Sequence, residues 1–179
     1  MYRICAAKLT DIALIKSVIG PAWRATYMPI LEPEQVEYML ELLYHREELK
    51  RLIQSGEQRF RLIGDGEEIF GFAAWSVVDA NTCKLNKLYL DPQRKGSGAG
   101  KTLLRFVEVE VESWGAKELI LNVNRYNPSF HFYQKMGYEV REEVDIPIGP
   151  YWMNDYVMVK SVVTAPLIAS SGDNQYGSR

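Results

Sequence analysis

Three glycines at alternate positions, in Lys95-Gly96-Ser97-Gly98-Ala99-Gly100, separate a strand-like stretch at 84–90 from an amphipathic stretch at 99–114. In the second stretch Leu103, Phe106, Val107, Val111 and Trp114 fall on one helical face, and Gly115 stops the helix. A strand that enters a helix through glycines lets its backbone approach an anion closely. The first helical N–H groups then point at that anion along a favourable dipole. The chain is therefore built around a strand–turn–helix unit. Its turn is either a phosphate cradle or a flexible link that binds nothing.

Spacing separates the phosphate motifs. Gly100-Lys101-Thr102 supplies the end of a P-loop, but that pattern needs a glycine at position 95, where the chain has Lys95. A dinucleotide fingerprint begun at Gly96 ends on Lys101, and one begun at Gly98 ends on Leu103. Neither nucleotide pattern is met, and no ATP or GTP binding is expected. Around the central unit, residues 2–9 read as a strand. Thr10 or Asp11 caps a helix carrying Ile12, Ile15 and Ile19, which Gly20-Pro21 ends. A second helix spans 34–44, with Val36, Met39, Leu40 and Leu43 on one face. Strands at 59–63 and 69–78 flank the turn Gly64-Asp65-Gly66-Glu67. A buried strand follows at 118–123. A helix capped by Asn127-Pro128 runs to Gly137, and an antiparallel pair at 138–146 and 155–160 closes the domain. The order is β-α-α-β-β-β-α-β-α-β-β, a mixed α/β layout without internal repeat. Residues 161–179, rich in Ser, Gly and Asn, read as a mobile tail.

The glycine turn, with Asp91-Pro92 just before it, resembles the Arg/Gln-Gly-x-Gly-x-Gly pyrophosphate loop of the GNAT superfamily of acetyltransferases. Lys95 departs from the usual Arg or Gln. A lysine contacts phosphate as a point charge, without the fork of arginine. A second stretch carries the resemblance further: Leu121-Asn122-Val123-Asn124-Arg125-Tyr126-Asn127-Pro128-Ser129-Phe130-His131-Phe132-Tyr133-Gln134-Lys135-Met136-Gly137-Tyr138. Its Phe-Tyr-x-Lys-x-Gly-Tyr portion is similar to the family's asparagine-led helix. Asn127 stands six residues before Tyr133 where seven is commoner, so Asn124 is a second candidate for a cofactor-contacting amide. The likeness covers roughly 1–160, which is the expected domain, and is strongest over 84–138.

That resemblance implies an acyl-CoA N-acyltransferase fold. Its mostly antiparallel sheet would splay between strands 84–90 and 118–123, with a bulge near Leu88, and helices would flank it. Acetyl-CoA would be the donor. The backbone of Leu88, Tyr89 and Leu90 would hold the pantetheine arm as an added strand would lie. Lys95, Gly96, Ser97, Gly98, Ala99, Gly100 and Lys101 would hold the pyrophosphate. Tyr133 would return a proton to the departing thiolate, a role suited to a phenol of pKa ≈ 10, although helix periodicity also allows it a packing role. The family's glutamate on the strand before the loop has no counterpart here, where Lys84, Asn86 and Lys87 stand, so a water-mediated base is expected. Trp23, Tyr27 and Glu32 (or Glu34) and the late Trp152 could wall the acceptor site, and packing between helices accounts for Trp23 and Tyr27 equally well. The likeness extends to bacterial spermidine/spermine acetyltransferases, which makes a polyamine-like primary amine the expected acceptor. A protein N-terminus, a lysine or an aminoglycoside is the alternative acceptor, and a non-catalytic acyl-CoA sensor is the alternative outside enzymes.

Bulk properties limit the partners. A net charge of −2 and a pI of about 5.8 argue against nucleic acid. The two cysteines, Cys5 and Cys83, form no framework and are expected to be reduced thiols. No metal site is suggested, and His45 and His131 read as solvated surface residues. The N-terminus lacks a signal-peptide layout, and no apolar run reaches the roughly 20 residues of a membrane span, so a cytoplasmic protein without a membrane partner is expected. A homodimer is expected by analogy with the family alone.

Overall fold

The computed structural model describes residues 1–66 and 68–163; most of the expected tail lies outside them. The elements are β1 (Tyr2–Ala6), α1 (Ile12–Tyr27), α2 (Pro33–Tyr44), α3 (Arg46–Ser55), β2 (Arg59–Asp65), β3 (Glu68–Val77), β4 (Thr82–Leu90), α4 (Ala99–Trp114), β5 (Glu118–Asn124), α5 (Ser129–Lys135), β6 (Glu139–Ile148) and β7 (Tyr151–Ser161). The seven strands form one sheet in the order β1-β2-β3-β4-β5-β7-β6. Every neighbouring pair is antiparallel except β4 and β5, which run parallel because α4 crosses between them. Among the described residues no helix is long and apolar enough to cross a membrane.

Each face of the sheet has its own core. On one face Leu103, Leu104, Val107 and Val111 of α4 pack on Leu85, Leu119 and Leu121, all nearly inaccessible to solvent. Burying each such side chain contributes about 1.5–3 kcal/mol, which fixes α4 across the two central strands. On the other face α1, α2 and α3 cover Phe60, Leu62 and Phe72.

Two helices differ from the sequence reading. The first does not end at Gly20-Pro21: α1 continues through Pro21 to Tyr27. Proline removes one helical hydrogen bond and crowds the preceding turn. The apolar face continues past it, however, and Ala22, Trp23 and Tyr27 are all buried in the helical core. That burial outweighs the proline. The helix α3, absent from the reading, has only two buried residues, Leu49 and Leu52. It is nonetheless well bounded. His45 Nδ1 accepts from the Glu47 N–H at 3.3 Å, and Gly56 ends the helix at φ 69°.

Candidate active site

The sheet opens between β4 and β5. Their register runs only from Thr82↔Glu118 to Leu85↔Leu121, and beyond it the strands diverge. The cause lies on β4, where Asn86 is bulged. Lys87 faces Ala74 and Leu85 faces Trp75, so Asn86 has no partner on β3. The bulge falls two residues before the expected Leu88. It reverses the alternation of β4: Leu85 and then Leu88 face the α4 core, while Tyr89 turns to the α1 side. The Asn86 amide is anchored, donating from Nδ2 to Ser76 Oγ at 2.7 Å and to the Lys84 carbonyl at 3.2 Å.

A cavity of about 460 Å³ fills the opening. Leu88, Tyr89 and Leu90 form one side, Leu121, Asn122 and Val123 the other, and Tyr133 and Tyr27 close the inner end. At the outer end stand Lys95, Gly96, Gly98, Gly100 and Lys101. Ser97 and Ala99 alternate with these glycines and are absent from the cavity lining. The Ser97 carbonyl accepts from the Tyr2 hydroxyl at 2.8 Å, and Ala99 is fully buried. They support the turn and do not line the cavity.

The turn is braced before any ligand arrives. The Asp91 N–H donates to the Phe70 carbonyl at 2.7 Å, and Asp91 Oδ1 accepts from the Gln93 N–H at 2.8 Å. Arg94 reaches across to Asp65 at 3.0 Å and Glu68 at 2.8 Å, so the arginine here is a structural clamp and Lys95 is left to the cavity. Gly96 and Gly98 adopt φ of 83° and 85°, open to glycine and strained for other residues. The first bond of α4 runs from the Thr102 N–H to the Gly98 carbonyl, and the Ala99 N–H donates to Ser97 Oγ at 3.4 Å, which leaves the Gly100 and Lys101 N–H groups for an anion. Two lysines, a helix N-terminus and glycines open to backbone approach suit a pyrophosphate. The narrow apolar slot beyond suits a pantetheine arm.

Tyr133 on α5 is 8 % exposed and lines the inner end of the cavity. Burial, and then the nearby Tyr27 phenol, push its pKa well above the ordinary phenol value, so it is neutral at physiological pH. Burial likewise pushes Tyr27 up to about 12, and the side chains of Asn127 and Tyr89 lie beside its hydroxyl. Of the two candidate amides, Asn127 lines the cavity and Asn124 does not. Asn124 is buried beneath the turn, where Oδ1 accepts from the Tyr126 N–H at 3.0 Å. Asn127 Oδ1 caps α5 through the Ser129 N–H at 2.9 Å, which turns its Nδ2 toward the Tyr27 hydroxyl.

The acceptor wall needs correction at three residues. Trp23 is 3 % exposed in the helical core and donates its indole N–H to the Val36 carbonyl at 3.3 Å, so it is packing and does not line the cavity. Glu32 lies exposed at the start of α2, outside the cavity. Trp152 is an exposed residue of β7 whose carbonyl accepts from Gln35 at 2.8 Å, also outside the cavity. Tyr27 alone of that group reaches the cavity, together with Ala22, Ala25 and Thr26 of α1. The helix continued past Pro21, and its inner face took the wall positions. Two further polar residues were not singled out from the sequence as site residues. Asn122 lines the cavity from β5, and Asp155 lies behind it on β7, its Oδ2 accepting from Asn122 Nδ2 at 3.4 Å. The one sequence signal for Asp155 was a carboxylate at the head of the apolar run 156–159.

Comparison with known proteins agrees with this architecture. The sequence profile described as the Acetyltransferase (GNAT) family matches residues 21–138. A spermidine N(1)-acetyltransferase of Thermoplasma acidophilum is 29 % identical over 139 residues, covering 75 % of this chain and 86 % of that protein. An uncharacterised N-acetyltransferase of Mycobacterium tuberculosis is 26 % identical, covering 87 % of this chain and all of that protein. Among solved structures, the PaiA N-acetyltransferase of Thermoplasma acidophilum in complex with coenzyme A superposes with a TM-score of 0.79 at 28 % identity, covering 90 % of this chain and 99 % of that one. A family match over most of the described chain, a shared open sheet and N-acetyltransferase relatives agree, and the chain belongs to the GNAT acetyltransferase family.

Proposed function

We propose that this acetyltransferase moves the acetyl group of acetyl-CoA to a primary amine of a small, polyamine-like molecule by direct attack, with Tyr133 as general acid. The observation that carries the reading is one continuous cavity running from the glycine turn, along Leu88–Leu90, to the Tyr133 side chain. Acetyl-CoA supplies an activated acyl carbon and a thiol leaving group. The chain supplies the rest. The first turn of α4, with Lys95 and Lys101, neutralises the pyrophosphate. The exposed edge of β4 beyond the bulge offers backbone groups to the pantetheine amides, as to an added strand. Asn127 lines the cavity beside the same arm. A β4 backbone N–H near Leu90 polarises the thioester carbonyl. Tyr133, held neutral by burial, gives its proton to the departing sulfur.

The acceptor enters between α1 and β5, past Thr26 and Tyr27. The polyamine preference rests on the spermidine acetyltransferase relative, whose sequence this chain matches over three quarters of its length. The test is release of free thiol from acetyl-CoA on mixing with spermidine, spermine, amino acids, an N-terminal peptide and an aminoglycoside. Turnover is expected with the polyamines. Turnover confined to the peptide or the aminoglycoside would replace the acceptor, and none with any amine, despite coenzyme A binding, would leave a sensor.

A further inference from the structure

On the sheet face that carries α1, one carboxylate is buried without the partners a charge in that position requires. Asp155 on β7 is 6 % exposed. Its Oδ1 is sealed from solvent and accepts no hydrogen bond, and its Oδ2 accepts one, from Asn122 Nδ2. Buried polar groups are ordinarily satisfied, and an exception calls for an account. Ion pairing does not supply one, since Asp155 forms no salt bridge among the described residues. Arg125 gives its terminal nitrogens to Glu143 at 3.5 Å and to Asp145, its buried Nε has no hydrogen-bond partner, and Arg125 and Lys84 act on Asp155 only through space.

The placement of Asn122 supplies the account. It is the first residue of β5 beyond the last paired position, Leu121, and it lines the cavity opposite the bulged Asn86. An asparagine there can present either end of its amide, and the two ends have opposite effects on an attacking amine. A carbonyl oxygen accepts an amine N–H and leaves the nitrogen lone pair aimed at the thioester. An amide N–H instead donates to that lone pair and blocks it. A carboxylate behind Asn122 decides between them, because only Nδ2 can face it. We propose that Asp155 is the positioning residue of the acceptor side: it holds Asn122 Nδ2 and so presents Asn122 Oδ1 to the amine that attacks the thioester. The inference rests on the amine acetylation proposed above.

The groups that face Asp155 are Asn122 on β5, Lys84 on β4, Arg125 after β5 and Tyr27 on α1, with Asn124 opposite on β5 and apolar Val144 opposite on β6. Burial raises the Asp155 pKa above the usual carboxylate range, opposed by the Asn122 amide, then by the charges of Lys84 and Arg125. A carboxylate retained there also favours the approach of a cationic acceptor.

The test is Asp155→Asn, which keeps the shape but can donate to Asn122 Oδ1 and turn its Nδ2 toward the cavity. With spermidine as the probe, kcat is expected to fall about 100-fold, the size of a reversed hydrogen bond at a reacting group. The KM for acetyl-CoA and the melting temperature should stay near wild type. The exchanged pair Asn122→Asp with Asp155→Asn returns an acceptor oxygen to the cavity and is expected to recover most of the rate. A second readout needs no turnover: in the free protein the Asn122 side-chain amide resonances should follow the carboxyl titration of Asp155. Wild-type kcat in Asp155→Asn, a joint loss of cofactor binding and melting temperature, or Asn122 resonances indifferent to that titration would overturn the inference. If the wild-type protein acetylates no amine, the proposed function falls, while the Asn122 titration still decides the positioning.

Discussion

In the proposed reaction Tyr133 faces a leaving group that is a weaker base than its own phenolate. Free thiols have a pKa near 8.5, and burial carries Tyr133 well above the ordinary phenol value. Proton transfer between them becomes effective only because the sulfur leaves inside the same apolar slot. There its thiolate is also poorly solvated and correspondingly basic. The hydroxyl is therefore expected to matter for kcat and not for binding. Tyr133→Phe should bind coenzyme A with near-normal affinity by calorimetry and lose about 100-fold or more in thiol release, the range of general acid catalysis. An unchanged rate would remove Tyr133 from the acid role. The sequence pointed to this residue through its place in a motif. Its burial and its Tyr27 neighbour came from the fold.

The turn into α4 carries a contrast between two glycines that differ in conformation. At Gly98, φ is 85° and the space where a methyl would sit is open, with no neighbouring atom within 4 Å, so Gly98→Ala meets a backbone penalty alone. A loss of about 1–2 kcal/mol in denaturant unfolding is expected. Gly100 sits in the first turn at an ordinary φ. A methyl there would lie 3.5 Å from Leu90 and 3.8 Å from Phe132, both ordinary contacts with residues of the cavity wall. Gly100→Ala should leave stability within about 1 kcal/mol of wild type, since alanine favours helix, and should weaken coenzyme A binding. Wild-type affinity in Gly100→Ala would mean that the phosphates lie elsewhere. This element was legible because its signal is local: glycine spacing, helical period and a stop at Gly115 all lie within one stretch. The continuation of α1 was not legible, because the proline signal at Pro21 is local while the burial of Trp23 and Tyr27 that overrides it is tertiary. The helix α3 was missed for a related reason, its apolar face being only two fully buried residues wide.

At the scale of the molecule, the placement of β7 between β5 and β6 brings Asp155 to Asn122 across 33 residues of sequence, and no local pattern encodes such a pairing. The same assembly gathers Tyr27, Tyr89 and Tyr133 around one cavity end, with Tyr44 packed edge-on behind Tyr89 and Lys87 over the Tyr44 ring at 5.4 Å. These buried groups give stability a particular pH dependence. Burial depresses Lys87 to about 8, against an ordinary value near 10.5, so between those limits the folded protein binds fewer protons than the unfolded chain. Stability therefore rises with pH across that window, by at most about 3 kcal/mol. The four tyrosines act in the opposite sense. Their folded pKa values are raised, to about 12 at Tyr27 and further at the others, so their contribution is complete below pH 10. Above pH 10 the unfolded phenols ionise first. Each tyrosine then removes about 1.4 kcal/mol per pH unit until its folded form titrates too. Urea unfolding from pH 7 to 11.5 should show stability climbing above pH 8, reaching a maximum near pH 10 and falling steeply beyond. Lys87→Met should flatten the rise and leave the fall, whereas Tyr44→Phe should make the fall shallower by about one tyrosine's share and leave the rise. A monotonic decline from pH 8, unaltered by Lys87→Met, would show that the lysine is solvated in the folded protein and that the cavity end is wetter than its tyrosine lining implies.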